Sequence, residues 1–566
     1  METRRFILAL SLSLLVFLVY VKYFTPKPPV QAPEQEAVKQ EAAKPAAEDT
    51  ARPPVRPGAL AATIEEAAQG KEIIVETDLV KAVINTAGGV VTRWELKNYR
   101  EADKTEVGIG ALYKRITGQA KKEEKPRKEL GNVQLVPSYE GVDRKDLLSP
   151  LTITPLDKTL YKLSQVQYHA DHDALHLSKE RPVETLVLTY TGPAGISIEK
   201  KLTFYNNDYK VDIAVTTGGL DGYTLSLGTD FGLADKVSKD ASGHVGLVAF
   251  MDGKTTTDKL ESIKGEVQYA GTVEWFSQAD KYFTATVLYG SNGIITGKRT
   301  AAPKEVGDLL TTDLTVKDKP EGRTFTLYAG PKNYTLLAAH GHGLEQMVDY
   351  GWFGILAKPM FWLLRQFYTI THNYGIAIIL LTIVVRVLLF YPSLKSATAM
   401  EEMKKIQPQL MTIREKYKKD PARVNQEMMK LYKEHKVNPL GGCLPMLLQL
   451  PFFVALYNVL SVSIELRQSP FISFWIKDLS VYDPYYILPV LMGVSMIFTM
   501  KMTSTTADPQ QAKIMMFMNI AFIFLFAWLP AGLLLYITLS NVLSIVQQLY
   551  VRRILGVKAD SAAFSA

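Results

Sequence analysis

Five apolar runs crowd the last third of the chain, at residues 374–391, 441–464, 485–500, 514–529 and 533–551. A helix rises ~1.5 Å per residue and a bilayer's hydrocarbon slab is ~30 Å thick, so stretches of this size suit helices that cross lipid with their backbone hydrogen bonds made internally. Pro392 ends the first run, and Pro530-Ala531-Gly532 turns the fourth into the fifth. A sixth run, residues 6–24, follows Arg4 and Arg5. It leads into Lys22-Tyr-Phe-Thr-Pro26 with no small-x-small cleavage pattern, and so reads as a retained anchor rather than a removed signal.

Charge orients these runs. The stretch 393–440 holds 11 Lys and Arg, whereas 465–484 holds only Arg467 and Lys477. With six crossings, the basic segments, including Arg4, Arg5, Arg552, Arg553 and Lys558, all fall on one side, which the positive-inside rule makes cytoplasmic. Both termini are then expected in the cytoplasm. The net charge of +7 is modest for 566 residues and does not argue for a nucleic-acid substrate.

The remainder divides by texture. Residues 25–70 are rich in Pro, Ala, Glu and Lys and read as a flexible linker after the 1–24 anchor. Residues 71–340 alternate polar and apolar, with a Gly88-Gly89 turn and an Asn206-Asn207-Asp208 hairpin between 196–205 and 209–216, which predicts one large β-sandwich outside the membrane. Residues 345–370 mix Trp352, Phe361 and Trp362 with Lys358 and Arg365, as in an amphipathic helix lying in the outer interface. A five-span core follows over 371–553, interrupted by a cytoplasmic helical hairpin at 393–437, and 554–566 is a short tail. The expected fold is therefore mixed: a polytopic α-helical membrane bundle of six spans, five of them forming the core, plus a large periplasmic β-sandwich.

Arg386 is the conspicuous residue. It sits about one and a half turns inside the cytoplasmic end of the 374–391 run, where a cation costs ~2.5–3.5 kcal/mol on insertion scales. It either snorkels to headgroups or faces a wet cleft. Thr382 lies one turn earlier on the same face. Gln449, Asn519 and the stripe Thr538, Asn541, Ser544 and Gln548 add polar groups on three further runs, which fits a shared hydrated groove better than isolated helix–helix contacts. No acidic residue lies in the apolar cores, so the expected partner of Arg386 is water or an acidic group brought in from outside. The run 485–500 is short and Pro489 interrupts it, which favours local thinning of the bilayer.

In the hairpin, Asp420-Pro421 is a helix restart, and the second helix should run to about residue 436. Met400, Met403, Met411, Met428 and Met429 lie among its charges. They serve either an adaptable contact surface or packing between the two helices. Fifteen of the 17 methionines follow residue 344. Phosphate loops, nucleophile elbows and HExxH are absent, so no motor, hydrolase or zincin is encoded. His169, Asp171, His172, Asp173 and His176 read as a solvated turn rather than a metal site, and Cys443, the only cysteine, as a packing residue. No cofactor is expected.

Asn438-Pro-Leu-Gly-Gly-Cys-Leu-Pro-Met-Leu-Leu-Gln-Leu-Pro451 resembles the YidC/Oxa/Alb family of insertases. Ser463-Ile-Glu-Leu-Arg467, Asp483-Pro-Tyr-Tyr-Ile-Leu-Pro489, Gly532-Leu-Leu-Leu-Tyr536 and Ser540-Asn541 agree, and the likeness runs over about 352–553. A large β domain after an anchor is similar to the Gram-negative form, in which that domain resembles a supersandwich with likeness to sugar-binding folds; residues 275–283 also look like that form. The resemblance places the family's membrane arginine on Arg386, its groove threonine on Thr382 and a client-contacting tyrosine on Tyr536, with Ile537 where relatives often carry a second tyrosine. It implies an inner-membrane insertase and folding chaperone, not an enzyme. Nascent membrane proteins, SecYEG, SecDF, the translating ribosome and the phospholipid bilayer would be its partners. A solute transporter or channel remains an alternative, although no internal repeat is evident. So does a scaffold that uses its β domain to bind periplasmic glycans or proteins.

Overall fold

The computed structural model describes residues 70–101, 131–139, 142, 147–234, 245–303, 306–317, 322–418, 420–435, 444–503 and 509–554. The anchor at 6–24, linker residues 25–69, residues 438–443 of the 438–451 motif including Cys443, and tail residues 555–566 lie outside the described residues.

Seventeen strands are described: β1 (Glu72–Glu76), β2 (Val80–Asn85), β3 (Val90–Arg100), β4 (Asn132–Gln134), β5 (Ile153–Pro155), β6 (His169–Ala170), β7 (Ala174–His176), β8 (Val183–Thr191) and β9 (Ser197–Tyr205) in the first half, then β10 (Lys210–Gly218), β11 (Tyr223–Thr229), β12 (Gly246–Met251), β13 (Lys254–Lys259), β14 (Glu266–Ala279), β15 (Phe283–Thr300), β16 (Leu309–Val316) and β17 (Arg323–Pro331). A five-stranded sheet runs β4-β3-β2-β1-β7. The larger, twelve-stranded sheet follows the path β13-β12-β14-β15-β17-β10-β9-β8-β6, with β16 joining β15 to β11 and β5 pairing β11.

Alternation makes this sandwich. In β9 the inward residues Ile198, Leu202 and Phe204 are buried while Lys201 is exposed, as a two-residue side-chain period requires. The β9–β10 hairpin forms at the expected turn, Val211 opposite Phe204. The turn is also pinned to the other sheet, for the buried Asn206 side chain accepts from the Asp78 amide at 3.0 Å and donates to Asp78 Oδ2 at 2.8 Å. Two buried side chains tie the sheets face to face. Trp94 Nε1 donates to the Ala329 carbonyl at 3.0 Å. Lys200 faces inward and donates to the carbonyls of Gly88, Gly89 and Leu151, each at 2.9 Å. Gly88 (φ 78°) and Gly89 (φ 58°) take the left-handed conformation that presents two consecutive carbonyls to one ammonium.

The cluster between His169 and His176 is not a loop throughout. It spans β6 and β7, which belong to different sheets, and Lys71 pairs with Asp173 while His172 lies 3.0 Å from Asp171.

Nine helices are described: α1 (Tyr334–His340), α2 (Gly354–Thr371), α3 (Tyr374–Leu388), α4 (Phe390–Lys416), α5 (Pro421–Glu434), α6 (Leu444–Val462), α7 (Ile487–Thr503), α8 (Pro509–Phe526) and α9 (Ala531–Ile554). The last five apolar runs each coincide with a helix. Among the described residues α9 alone is long and apolar enough for a crossing, and α3 with α4 passes only as a pair bent by 65°. Leu448–Val462 and Ile487–Met502 are shorter apolar stretches.

Several local expectations need correction. The helix expected in the interface starts at Gly354, because 344–347 is a separate 3-10 turn, and it buries Ala357, Met360, Phe361 and Leu364 while Trp352 and Trp362 stay exposed. The bend after α3 falls at Leu389, three residues before Pro392. Proline lacks an amide hydrogen, and it sits in the first turn of α4, where that amide has no helical partner. Pro489 likewise lies in the first turn of α7 and does not interrupt it. The hairpin's second helix ends at Glu434, short of 436, and its start is as expected: Asp420 accepts from the Arg423 amide and Pro421 opens the helix.

The β domain rests on the loop after α6. Arg467 stacks over Tyr282 and Phe283, with its guanidinium carbon 5.7 and 5.3 Å from the ring centroids, and Gln468 donates to the Arg100 carbonyl at 3.1 Å. In that same loop Asp483 is fully buried. It accepts from Trp475 Nε1 at 2.8 Å and from the Leu488 amide at 2.7 Å, which fixes the start of α7.

Candidate functional site

The site is assembled where α3, α6 and α9 meet. Arg386 lies in the last turn of α3, half-buried, and its Nη2 donates to the Ser540 carbonyl at 2.6 Å and to Gln449 Oε1 at 3.4 Å. One guanidinium thus ties three helices. Its partners here are protein groups and both are neutral, two acceptors that the sequence did not single out as partners. Among the described residues no carboxylate pairs with it. A planar guanidinium suits this role because its several N–H groups diverge in one plane.

Tyr536, one turn before Ser540 on α9, is almost wholly buried beside Arg386, Gln449 and Ser540. Its neighbour Ile537 is partly buried against the same core. Thr538 Oγ1, Ser540 Oγ and Gln548 Oε1 are buried without a hydrogen-bond partner among the described residues. Orphaned polar atoms of this kind are costly in a dry interior, so these positions on α9 are suited to water or to a polar guest.

The structure does not gather every expected residue here. The Thr382 hydroxyl is completely buried and donates back to the Ile378 carbonyl at 2.6 Å, so it serves its own helix rather than Arg386. Asn541 donates to Ser495 Oγ on α7 at 3.1 Å and acts as a helix–helix contact. The Asn519 side chain lies outside the described residues. Ser540, by contrast, is central, and sequence reasoning missed it because a backbone carbonyl has no side-chain signature. Ser495 was missed for want of any periodic signal.

The hairpin methionines divide. Met403 is buried with Ile406, Leu410 and Leu431, and Met428 packs against that cluster. Met400 is buried against the helical core. Met411 and Met429 are exposed, by 42% and 52%. Packing between the helices and an open sulfur-bearing surface therefore coexist on one hairpin.

Residues 366–558 match the family described as 60Kd inner membrane protein, and residues 143–363 match the YidC periplasmic domain. The membrane protein insertase YidC of Geobacter metallireducens is 34% identical over 561 residues, covering 97% of this chain and 98% of that one. That of Syntrophus aciditrophicus is 35% identical over 573 residues, covering 97% and 99%. A solved structure of an active YidC insertase with its first transmembrane domain resolved covers 87% of this chain and 96% of its own, at 19% identity and a TM-score of 0.37. With whole-length relatives at this identity, the chain belongs to the YidC family of inner-membrane insertases, which insert membrane proteins and are not enzymes.

Proposed function

We propose that insertion proceeds through a hydrated groove bounded by α3, α6 and α9, with Arg386 as its charged centre. The observation that carries this reading is a half-buried cation held by two neutral acceptors, with no carboxylate paired to it among the described residues. A client's hydrophilic end enters from the cytoplasm, and an Asp or Glu on it meets the guanidinium in a site of reduced dielectric. There the attraction is several-fold stronger than in water. The orphaned oxygens of Thr538, Ser540 and Gln548 supply further polar contacts along α9. The client's apolar helix meanwhile moves along the lipid-facing sides of α6 and α8 and partitions into the bilayer. At roughly 0.8 kcal/mol per buried methylene, transfer into hydrocarbon drives the process without a nucleotide.

In this reading six helices cross the membrane, both termini are cytoplasmic and the β domain is periplasmic. The hairpin of α4 and α5 meets clients first, through Met411 and Met429. SecYEG, SecDF and the translating ribosome are expected partners on the strength of the family alone, and the insertase also works unaided in the phospholipid bilayer.

Arg386→Ala tests the reading in proteoliposomes. Insertion of a client with an acidic translocated segment should fall well below that of a matched neutral client. Photocrosslinks from positions beside Arg386 to the arrested client should mark the groove. Equal insertion of both clients by the variant removes the charged role.

A further inference from the structure

The polar face of α9 does not stop at the groove. Ser540, Ser544, Gln548 and Arg552 follow one another at four-residue steps, so they share one face and span roughly 18 Å at ~1.5 Å per residue. At the groove end, the Ser540 carbonyl accepts from Arg386 and also from Ser544 Oγ at 3.0 Å. At the cytoplasmic end, Arg552 Nε donates to Glu401 Oε1 at 3.1 Å. Glu401 comes from α4 and is largely buried. The same oxygen accepts from Lys404 Nζ at 2.9 Å. Both cations also donate to the Met502 carbonyl at the end of α7. Glu401, Met502 and Gln548 line one recess with Ala397, Met400 and Val551, and Gln548 Oε1 has no partner in it among the described residues.

We propose that Glu401 is an internal stand-in for a client carboxylate: it occupies a two-cation donor site made by Lys404 and Arg552 at the cytoplasmic mouth, and an acidic client end displaces it on the way to Arg386. This inference rests on the groove reading above and adds a selective first station to it. The geometry suits exchange. One carboxylate oxygen satisfies both cations, so an incoming carboxylate can replace it group for group. The Met502 carbonyl meanwhile keeps each cation in place. The hairpin joins through α4, so displacing Glu401 also breaks the direct α4–α9 ion pair, while Lys404 keeps α4 on the end of α7. Lys404 and Arg552 are the specificity-determining pair, and Glu401 sets the threshold for using them.

The test uses the full-length protein in proteoliposomes, with a photocrosslinking residue at position 548 and two clients that differ only in an acidic or neutral leading segment. Glu401→Gln should raise crosslinking of the acidic client about three-fold and leave the neutral client unchanged, as expected when the internal competitor for the two cations loses its charge. Arg552→Glu should abolish the preference, and the exchange Glu401→Arg with Arg552→Glu should restore the closed mouth without restoring acid selectivity. Equal gains for both clients, or none, overturn the stand-in role. Unchanged thermal melting of each variant separates these results from misfolding. Crosslinking at 548 precedes passage by Arg386, so a normal mouth signal with no acid dependence at Arg386 counts against the groove reading and leaves this one standing.

Discussion

Arg386 Nη2 lies 2.6 Å from the carbonyl oxygen of Ser540, so this half-buried cation of the helical core is bound to backbone rather than to an acid. A charge-assisted bond to a carbonyl is stronger than a neutral one, but it does not cancel the charge. The arginine stays a net positive centre and is at the same time rigidly aimed.

That pairing predicts a difference between charge and shape. Arg386→Lys keeps the charge but replaces a planar fork with a point donor that cannot reach Ser540 and Gln449 together in the same way. Insertion of acidic clients should drop roughly three- to ten-fold, less than for Arg386→Ala, because a cation without its second anchor loses about 1 kcal/mol of positioning. Initial insertion rates in proteoliposomes for the three proteins, ordered Arg, Lys, Ala, check this. Identical rates for Lys and Arg show that aim is irrelevant.

What the sequence makes legible follows from how local the cause is. Asp420-Pro421 could be read as a helix start because the cap is made within three residues. Arg386 could be singled out because a cation inside an apolar run is conspicuous. Its partner could not, since the Ser540 carbonyl is shared by every residue type. Asn541 sat on the right stripe, but a stripe does not tell a groove from a neighbouring helix, and Ser495 on α7 claimed it. In β9, Lys200 and Lys201 are adjacent and chemically identical. Only strand parity decides which one is buried, and parity depends on the partner sheet.

Lys200 gives a stability prediction for the β domain. Its ammonium has three N–H donors and meets three carbonyls, those of Gly88, Gly89 and Leu151. Lys200→Met fills similar space and leaves three buried acceptors unpaired, at about 1 kcal/mol or more each. The full-length protein should lose about 3 kcal/mol in its β-domain transition, visible as a downward shift of that melting step, and Lys201→Met should change it by less than about 0.5 kcal/mol. Equal shifts for the two lysines would remove the clamp.

Glu465, in the loop after α6, gives a pH prediction. Burial pushes its carboxyl up to about 7 from an ordinary 4.5, with the Arg365 guanidinium acting weakly the other way, and its Oε1 lacks a partner among the described residues. A carboxyl of this kind binds more protons folded than unfolded between those two pH values. Its favourable contribution is complete below about pH 4.5 and is lost as pH rises through about 7. The contact between the β domain and this loop should therefore loosen from about pH 4.5 to about pH 7, on the order of 2 kcal/mol, and Glu465→Gln should flatten the slope. Hydrogen exchange of the 464–469 amides across that range measures it. A slope that persists in the Gln variant assigns the titration elsewhere.

The hairpin methionines permit a separation of folding from capture. Met403 is buried against Ile406, Leu410 and Leu431, so Met403→Ser removes apolar volume and introduces a hydroxyl, for about 2–3 kcal/mol. Faster exchange of the α5 amides should report the loosened pair. Met411 and Met429 are exposed, and serine at both should move stability by no more than about 0.5 kcal/mol. If their sulfurs receive clients, the double variant should lower client crosslinking to the hairpin while α5 exchange stays at the unmodified rate, because adaptable thioether contacts are lost and no packing is. Unchanged crosslinking in that variant would confine the methionines to the hairpin's interior, and client reception would then fall to the charged residues of α4.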